Sequence, residues 1–334
     1  MPFFLLTIPA VDIFLQQIVN GLTLGCVYAV VALGYTMVYG IIQLINFAHG
    51  EVVMIGCMVA FSVIVALAPS GMPPLVIVAI GTSVAVPVCM AVGFVVERVA
   101  YRPLRSAPRL APLITAIGVS IVLQHLALMV WSRNVLAFPQ IIQSQTYFIG
   151  GAAITTVQIA ILVICLTLMA GLALLVYRTP LGTAMRATAQ NPQVAGLMGI
   201  DINRVIAITF VIGAGLGAVA GVLFGTYYGI AQYTMGSVLG LKAFSAAVLG
   251  GIGNIPGAML GGVLLGLVEA LGAGYIGDFT DVCTWGLPLA ACDGGGHFIL
   301  MGSNYQDVFA FIVLILVLVF RPQGLLGERV GDRA

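Results

Sequence analysis

The sequence predicts an all-α fold, a polytopic membrane helix bundle of about eight or nine transmembrane segments, and three observations predict it. Hydrophobic residues make up 61% of the 334 and charged residues only 7%, against roughly 25% charged in soluble domains. The mean hydropathy is +1.16. Apolar runs long enough to cross a ~30 Å hydrocarbon core recur along the whole chain. The few basic residues gather in a small number of intervals between those runs, the pattern that fixes orientation in a membrane. The formal charge of +1, with no basic patch or aromatic-basic alternation, excludes a nucleic-acid partner.

The predicted spans lie near 14–38, 50–68, 74–96, 110–131, 156–177, 205–228 and 305–320. The N-terminal stretch lacks the basic start of a cleavable signal peptide and is expected to be retained. Between the first two runs, NFAHGE places Asn46, His49 and Glu51 together, with Gly50 as the expected turn. Two readings stand: groups of a gate or pathway at membrane depth, or an interfacial turn that meets water. The interval 97–109 carries four arginines and little that looks helical. Gln124 and His125 fall mid-span in 110–131, where a lone histidine more often bonds a neighbouring helix than a ligand.

The interval 178–204 reads as a short helix, a stop and a second short helix. Thr183 to Gln190 is rich in good helix formers. Asn191-Pro192 breaks that helix, and Pro192 suits the first turn of the next. Gln193 to Met198 forms the second piece, with Gly199 as its C-terminal stop. Such a knob is either a handle for another protein or an arginine-rich loop that only sets orientation.

Gly213, Gly217, Gly221 and Gly225 repeat every fourth residue in 205–228, and Gly262, Gly266, Ala270 and Gly274 repeat the device. Small residues at this interval let helix backbones approach closely, so helix packing is the leading reading and a narrow pathway lining the lesser one. The interval 236–272 is Gly-rich and cut at Asn254-Ile255-Pro256-Gly257. Arg98, Arg102, Arg105, Arg109, Arg178, Arg186, Arg204, Arg321, Arg329 and Arg333 are placed inside. The loop 132–155 has one arginine and 273–304 has none, which places both outside. The segment 205–320 must then cross an even number of times, so 236–272 is a broken pair. That gives nine segments with an outside N-terminus, or eight if the pair is only re-entrant. Lys242, the single lysine, and Glu269 either pair or sit at the interface with snorkelling stems; together with Asn254 they are further pathway or gate candidates.

No P-loop, HExxH, GxSxG or clustered His/Cys metal spacing occurs, so no catalytic residue and no metal site is expected. Cys26, Cys57, Cys89 and Cys165 fall in apolar spans and read as small buried hydrophobes. Cys283 and Cys292, in the outer loop, are a disulfide candidate in an oxidising space.

Four stretches together carry a family resemblance: residues 20–51, ERVAYRPLR at 97–105, RATAQNPQVAGLMGI at 186–200 and LKAFSAAVLGGIGNIPGAMLGG at 241–262. They resemble the high-affinity branched-chain amino-acid ABC importer permeases of the LivH type. The resemblance covers about 14–275 and 305–328, and leaves 276–304 as an extracytoplasmic insertion within a single transmembrane permease domain. It implies a multi-pass subunit of a bacterial inner membrane, embedded in lipid and paired with a second homologous permease. Two cytoplasmic ATP-binding subunits and a periplasmic substrate-binding protein are its further implied partners. ATP and Mg would be bound by those partners, and this chain would hold no cofactor. The loop matching 178–204 is implied as the ATPase-coupling loop, on Gly182, Arg186, Ala187, Asn191, Ala195 and Gly199. The implied function is inward movement of branched-chain amino acids by alternating access, without enzyme activity of its own. Two other readings stand beside it: a urea or short-amide permease, and an ion-coupled transporter or channel working alone through Glu51, Glu269 and His49.

Overall fold

Long apolar runs with few breakers give long helices, and polar caps decide where they start. The computed structural model describes residues 7–105, 107–108, 110–142, 144–149, 151–280 and 305–327. Among these the helices are α1 (Thr7–Ile42), α2 (His49–Leu67), α3 (Pro74–Val96), α4 (Leu110–Val130), α5 (Thr156–Arg178), α6 (Pro180–Gln190) and α7 (Pro192–Leu197). They continue with α8 (Ile202–Tyr228), α9 (Met235–Gly250), α10 (Ile255–Phe279) and α11 (Gln306–Phe320). Seven helical spans are long and apolar enough to cross a membrane; α9 and α11 are shorter apolar helices. The chain is a multi-pass membrane helix bundle.

Side-chain caps mark several helix starts. Thr155 and Gln158 form a capping box at α5, and Thr179, Asn191, Asp201 and Asn254 each accept a backbone N–H at the start of α6, α7, α8 and α10. Each cap satisfies a donor that the first helical turn would otherwise leave bare. The Gly-rich interval divides at 251–254, where Gly251 and Gly253 hold φ of 104° and 96°, a backbone region that side chains disfavour.

Helices α1 and α8 form the buried centre, and α4 faces mostly outward. The glycine stripes explain the closeness of packing. A Cβ on Gly221 would overlap the Val53 carbonyl oxygen of α2, and one on Gly225 would press on Cys57. On α10, Gly262 and Gly266 lie flush against Ala29 and Gly25 of α1. Close backbone approach of this kind supplies dispersion contact where lipid gives no hydrophobic drive.

One end of the bundle collects the arginines. There Arg105 donates to Asn203 at 2.7 Å, tying the α3–α4 connection to the start of α8. Residues after α11 fold back on the α9–α10 turn: Leu325 N and Leu326 N donate to Leu249 O and Gly250 O at 2.9 and 3.0 Å. Asn254 Nδ2 in turn donates to Leu326 O at 2.7 Å.

The opposite end carries short strands: β1 (Leu136–Ala137), β2 (Thr146–Ile149), β3 (Ala152–Thr155) and β4 (Ile230–Ala231). β2 and β3 form an antiparallel hairpin, and β1 pairs antiparallel with β4. Gln16 of α1 exchanges two hydrogen bonds with the Ala153 backbone, at 2.8 and 3.1 Å.

Several expectations are corrected. The first helix, Thr7–Ile42, is far longer than 14–38, and most of its apolar stretch is buried in the bundle. The stretch 97–104 is helical after all, a π turn over Glu97–Tyr101 and a 3₁₀ turn over Arg102–Leu104; Pro103 is tolerated because it opens the last turn. Helix α10 runs to Phe279 and so takes in the start of the expected insertion. Cys283, Cys292, Arg329 and Arg333, and most of 276–304, lie outside the described residues.

Candidate functional site

At the arginine end, α6 and α7 form a small knob. Thr179 accepts from Gly182 N at 3.1 Å and donates to Leu175 O at 2.6 Å, so one hydroxyl ends α5 and opens α6. Gly182 is buried flush on that junction, where a Cβ would overlap the Leu175 and Val176 carbonyls. Arg186 donates to Val176 O, and its guanidinium lies 5.7 Å from the centre of the Tyr177 ring. It therefore clamps α6 to α5 rather than reaching outward. Ala187 is half-buried, and its carbonyl accepts from Asn191 N at 3.1 Å. Asn191 caps α7 through Val194 N at 3.1 Å. Ala195 is buried, and Gly199 stops α7 at φ 87°.

What the knob shows to its surroundings is α7. Val194, Leu197 and Met198 are 52%, 87% and 80% exposed, three bulky apolar side chains on one short helix. Beneath the knob a cavity of about 80 Å³ separates α6 from α1, lined by Thr36, Met37, Gly40, Met185 and Ala189 among others. Nearby, Glu97, only 1% exposed, accepts from Arg105. Partial burial lowers the Arg105 pKa from its usual value and Glu97 opposes that shift, which leaves the guanidinium charged at physiological pH.

Two groups of polar side chains are buried in the bundle. The first surrounds the start of α2. The turn between α1 and α2 falls at 43–48, where Gln43 holds φ 53°. Gly50 is thus not the turn: it is helical and meets the backbone of Gly236 and Gly240 of α9. Asn46, His49 and Glu51 are all buried, which removes the interfacial alternative. Asn46 Oδ1 accepts from Tyr101 at 3.0 Å. His49 stacks edge-on to Tyr35 at 4.8 Å, and its Nε2 has no partner among the described residues. Glu51 Oε1 accepts from Ser120, the middle of α4, at 3.2 Å, while Oε2 has no partner among the described residues.

The second group joins four helices. Lys242 of α9 donates to Glu269 of α10 at 2.7 Å and to the Tyr28 hydroxyl of α1 at 3.3 Å. Its Nζ also lies 2.6 Å from Asp307 of α11. The pair is formed rather than snorkelling. Asn254 sits apart from both groups, as the α10 cap bonded to Leu326. His125 Nδ1 donates within its own helix, to Ile121 O at 2.9 Å, and the residue is exposed, with no bond to a neighbouring helix among the described residues. Gly213, Gly217, Gly221 and Gly225 all face α1 or α2.

A family model described as the branched-chain amino acid transport system permease component matches residues 17–318. The chain belongs to this family. The permease is 47% identical over 327 residues to the high-affinity branched-chain amino acid transport system permease protein BraD of Pseudomonas aeruginosa, across 96% of this chain and 98% of that one. It is 45% identical over 322 residues to LivH of Escherichia coli K12, covering 94% and 96%. To the probable LivH permease of Methanocaldococcus jannaschii it is 28% identical over 310 residues, covering 89% and 87%. No solved structure matches. The family is one of transport permeases, not enzymes, and membership associates this permease with other transport components.

Sequence reasoning about the permease missed Asp307, Tyr28 and Glu97. Asp307 opens a span after an outer loop and reads as a surface charge. Tyr28 is hidden among apolar residues of a long run. The only available signal for Glu97 was its spacing of eight residues before Arg105.

Proposed function

We propose that this chain is one membrane-spanning subunit of an ATP-driven importer that moves branched-chain, aliphatic amino acids inward by alternating access. It works in a bacterial inner membrane beside a second homologous permease. Two cytoplasmic ATP-binding subunits, which carry the ATP and Mg, dock on its knob, and a periplasmic binding protein delivers the cargo to the strand-bearing end. The similarity to BraD and LivH, high-affinity branched-chain amino acid transport system permease proteins, supports the cargo.

The observation that carries the docking reading is the exposed apolar ridge Val194, Leu197 and Met198 on a knob that is itself braced by Thr179, Gly182 and Arg186. An exposed apolar patch of this kind outside the spans is the mark of a partner surface, and the brace makes the knob a lever able to pass a push into α5 and α8. The cavity under α6 gives that lever room to move.

The test is Leu197→Glu with Met198→Glu, expressed with the other subunits and purified from membranes. ATP-binding subunits should no longer copurify, while the permease still inserts and retains the second permease. Normal recovery of the ATP-binding subunits would refute the docking surface.

A further inference from the structure

The charges that meet at Lys242 suggest where the cargo is held. Lys242 is the chain's single lysine, 7% exposed, and it faces two carboxylates, Glu269 at 2.7 Å and Asp307 at 2.6 Å. The two contacts differ. Glu269 is 1% exposed and takes a true hydrogen bond. The Asp307 contact is close but falls outside hydrogen-bond geometry, its side chain is 42% exposed, and Oδ1 keeps unspent acceptor capacity. Among the described residues both carboxylates keep an oxygen without a hydrogen-bond partner, Glu269 Oε2 and Asp307 Oδ1, so what separates them is exposure: Glu269 is closed in and the Asp307 side chain is reachable.

The level of the cluster also matters. Asp307 stands fourteen residues before Arg321 in sequence, which at 1.5 Å per helical residue puts it ~21 Å from that arginine, inside a ~30 Å core. Glu269 lies within the span Ile255–Ile276. Oδ1 of Asp307 is itself buried beside Lys242, and the exposure of the side chain lies on its other atoms. On α9, Val238 precedes Lys242 by one turn and Leu241 adjoins it, 52% and 49% exposed.

We propose that Lys242 and Asp307 are the station at which the amino-acid cargo replaces an internal ion pair. The cargo's carboxylate takes Lys242, its ammonium takes Asp307, and its branched side chain lies along Val238 and Leu241. The exchange replaces one opposite-charge contact, Lys242 with Asp307, by two, one at each end of the cargo, which avoids the large cost of leaving a buried charge unpaired. Lys242 stays neutralised by Glu269 throughout. A zwitterion satisfies both halves of the opened pair, whereas a simple cation or anion satisfies one. This inference rests on the reading of the cargo as an aliphatic amino acid.

The experiment uses the full transporter, both permeases with the ATP-binding subunits, in proteoliposomes with saturating binding protein. Leucine imported and ATP hydrolysed are measured in the same vesicles, so that the ratio is independent of how much complex is present. Asp307→Asn should lower leucine imported per ATP by about tenfold or more, the equivalent of one lost charge contact. Asp307→Glu should restore most of it. An unchanged ratio in Asp307→Asn overturns the proposal. So does loss of the second permease from the purified Asp307→Asn complex, which would make this carboxylate a subunit contact. If the wild-type complex hydrolyses ATP but imports no leucine, the cargo reading fails and the station with it.

Discussion

Lys242 is an expensive residue to keep at membrane depth, and its three near neighbours account for it. The ammonium has three donors, and Glu269, Tyr28 and Asp307 surround it. Removing it strands Glu269, a carboxylate only 1% exposed. Lys242→Met should therefore cost about 3–5 kcal/mol, the usual penalty for half of a buried pair. Lys242→Met with Glu269→Met should recover much of that loss, because only Asp307, whose side chain is 42% exposed, is then left without its cation. Thermal unfolding of the purified permease checks both; equal midpoints for the single and double variants would show that the pair carries no such penalty. The lysine and glutamate were legible in the sequence as charges out of place in apolar surroundings. Their third partner was not, since Asp307 lies 38 positions beyond Glu269 and nothing local marks it as returning to the same depth.

At the scale of the helix, the small-residue stripes are the readable feature. Spacing alone identified Gly213 to Gly225 as a packing surface, and the structure supplies the partners, Gly34, Val53 and Cys57. Gly221→Ala should destabilise by about 1–3 kcal/mol, the range for overpacking a tight contact, because its Cβ would meet the Val53 carbonyl oxygen. Gly118 of α4 is the control, with nothing within 4 Å of an added Cβ. Gly118→Ala should leave the stability unchanged or raise it by up to about 1 kcal/mol, the propensity gain of alanine over glycine. Equal effects at both sites would discard the close-approach account. The break at Asn191-Pro192 was legible for the same reason as the stripes, because it is a local signal. The Thr179 cap was not read, and α6 starts at Pro180 rather than at the expected Thr183. The strands at 146–155 were not: each is four residues long and held by Gln16, a partner more than a hundred positions away.

For the molecule as a whole, the separation of arginines from strands sets the orientation. Arg105, Arg186 and Arg204 share one end with the knob, and the β2–β3 hairpin lies at the other. A cysteine at Gln193 should react with a membrane-impermeant maleimide only in inside-out vesicles, and one at Tyr147 only from outside intact cells. Labelling of both from the same side would invert or abolish the proposed arrangement of partners. Spans and their order followed from apolar runs and basic loops. The depth at which α2 begins did not, because a chain that turns at 43–48 and re-enters the bundle at His49 looks in sequence like any loop between two spans. Burial of Glu51 is a property of the helices around it, Ser120 of α4 and Gly236 of α9.

The return of 323–327, a turn and a bend, over the α9–α10 turn bears on how this permease should be handled at the bench. Leu325 and Leu326 occupy the terminal carbonyls of α9, and Asn254 grips Leu326 in return, so this short stretch works as a clasp. A reporter or purification handle belongs downstream of Gly327. Spliced in nearer, it would leave two carbonyls dangling at the bend that spaces Lys242 from Glu269.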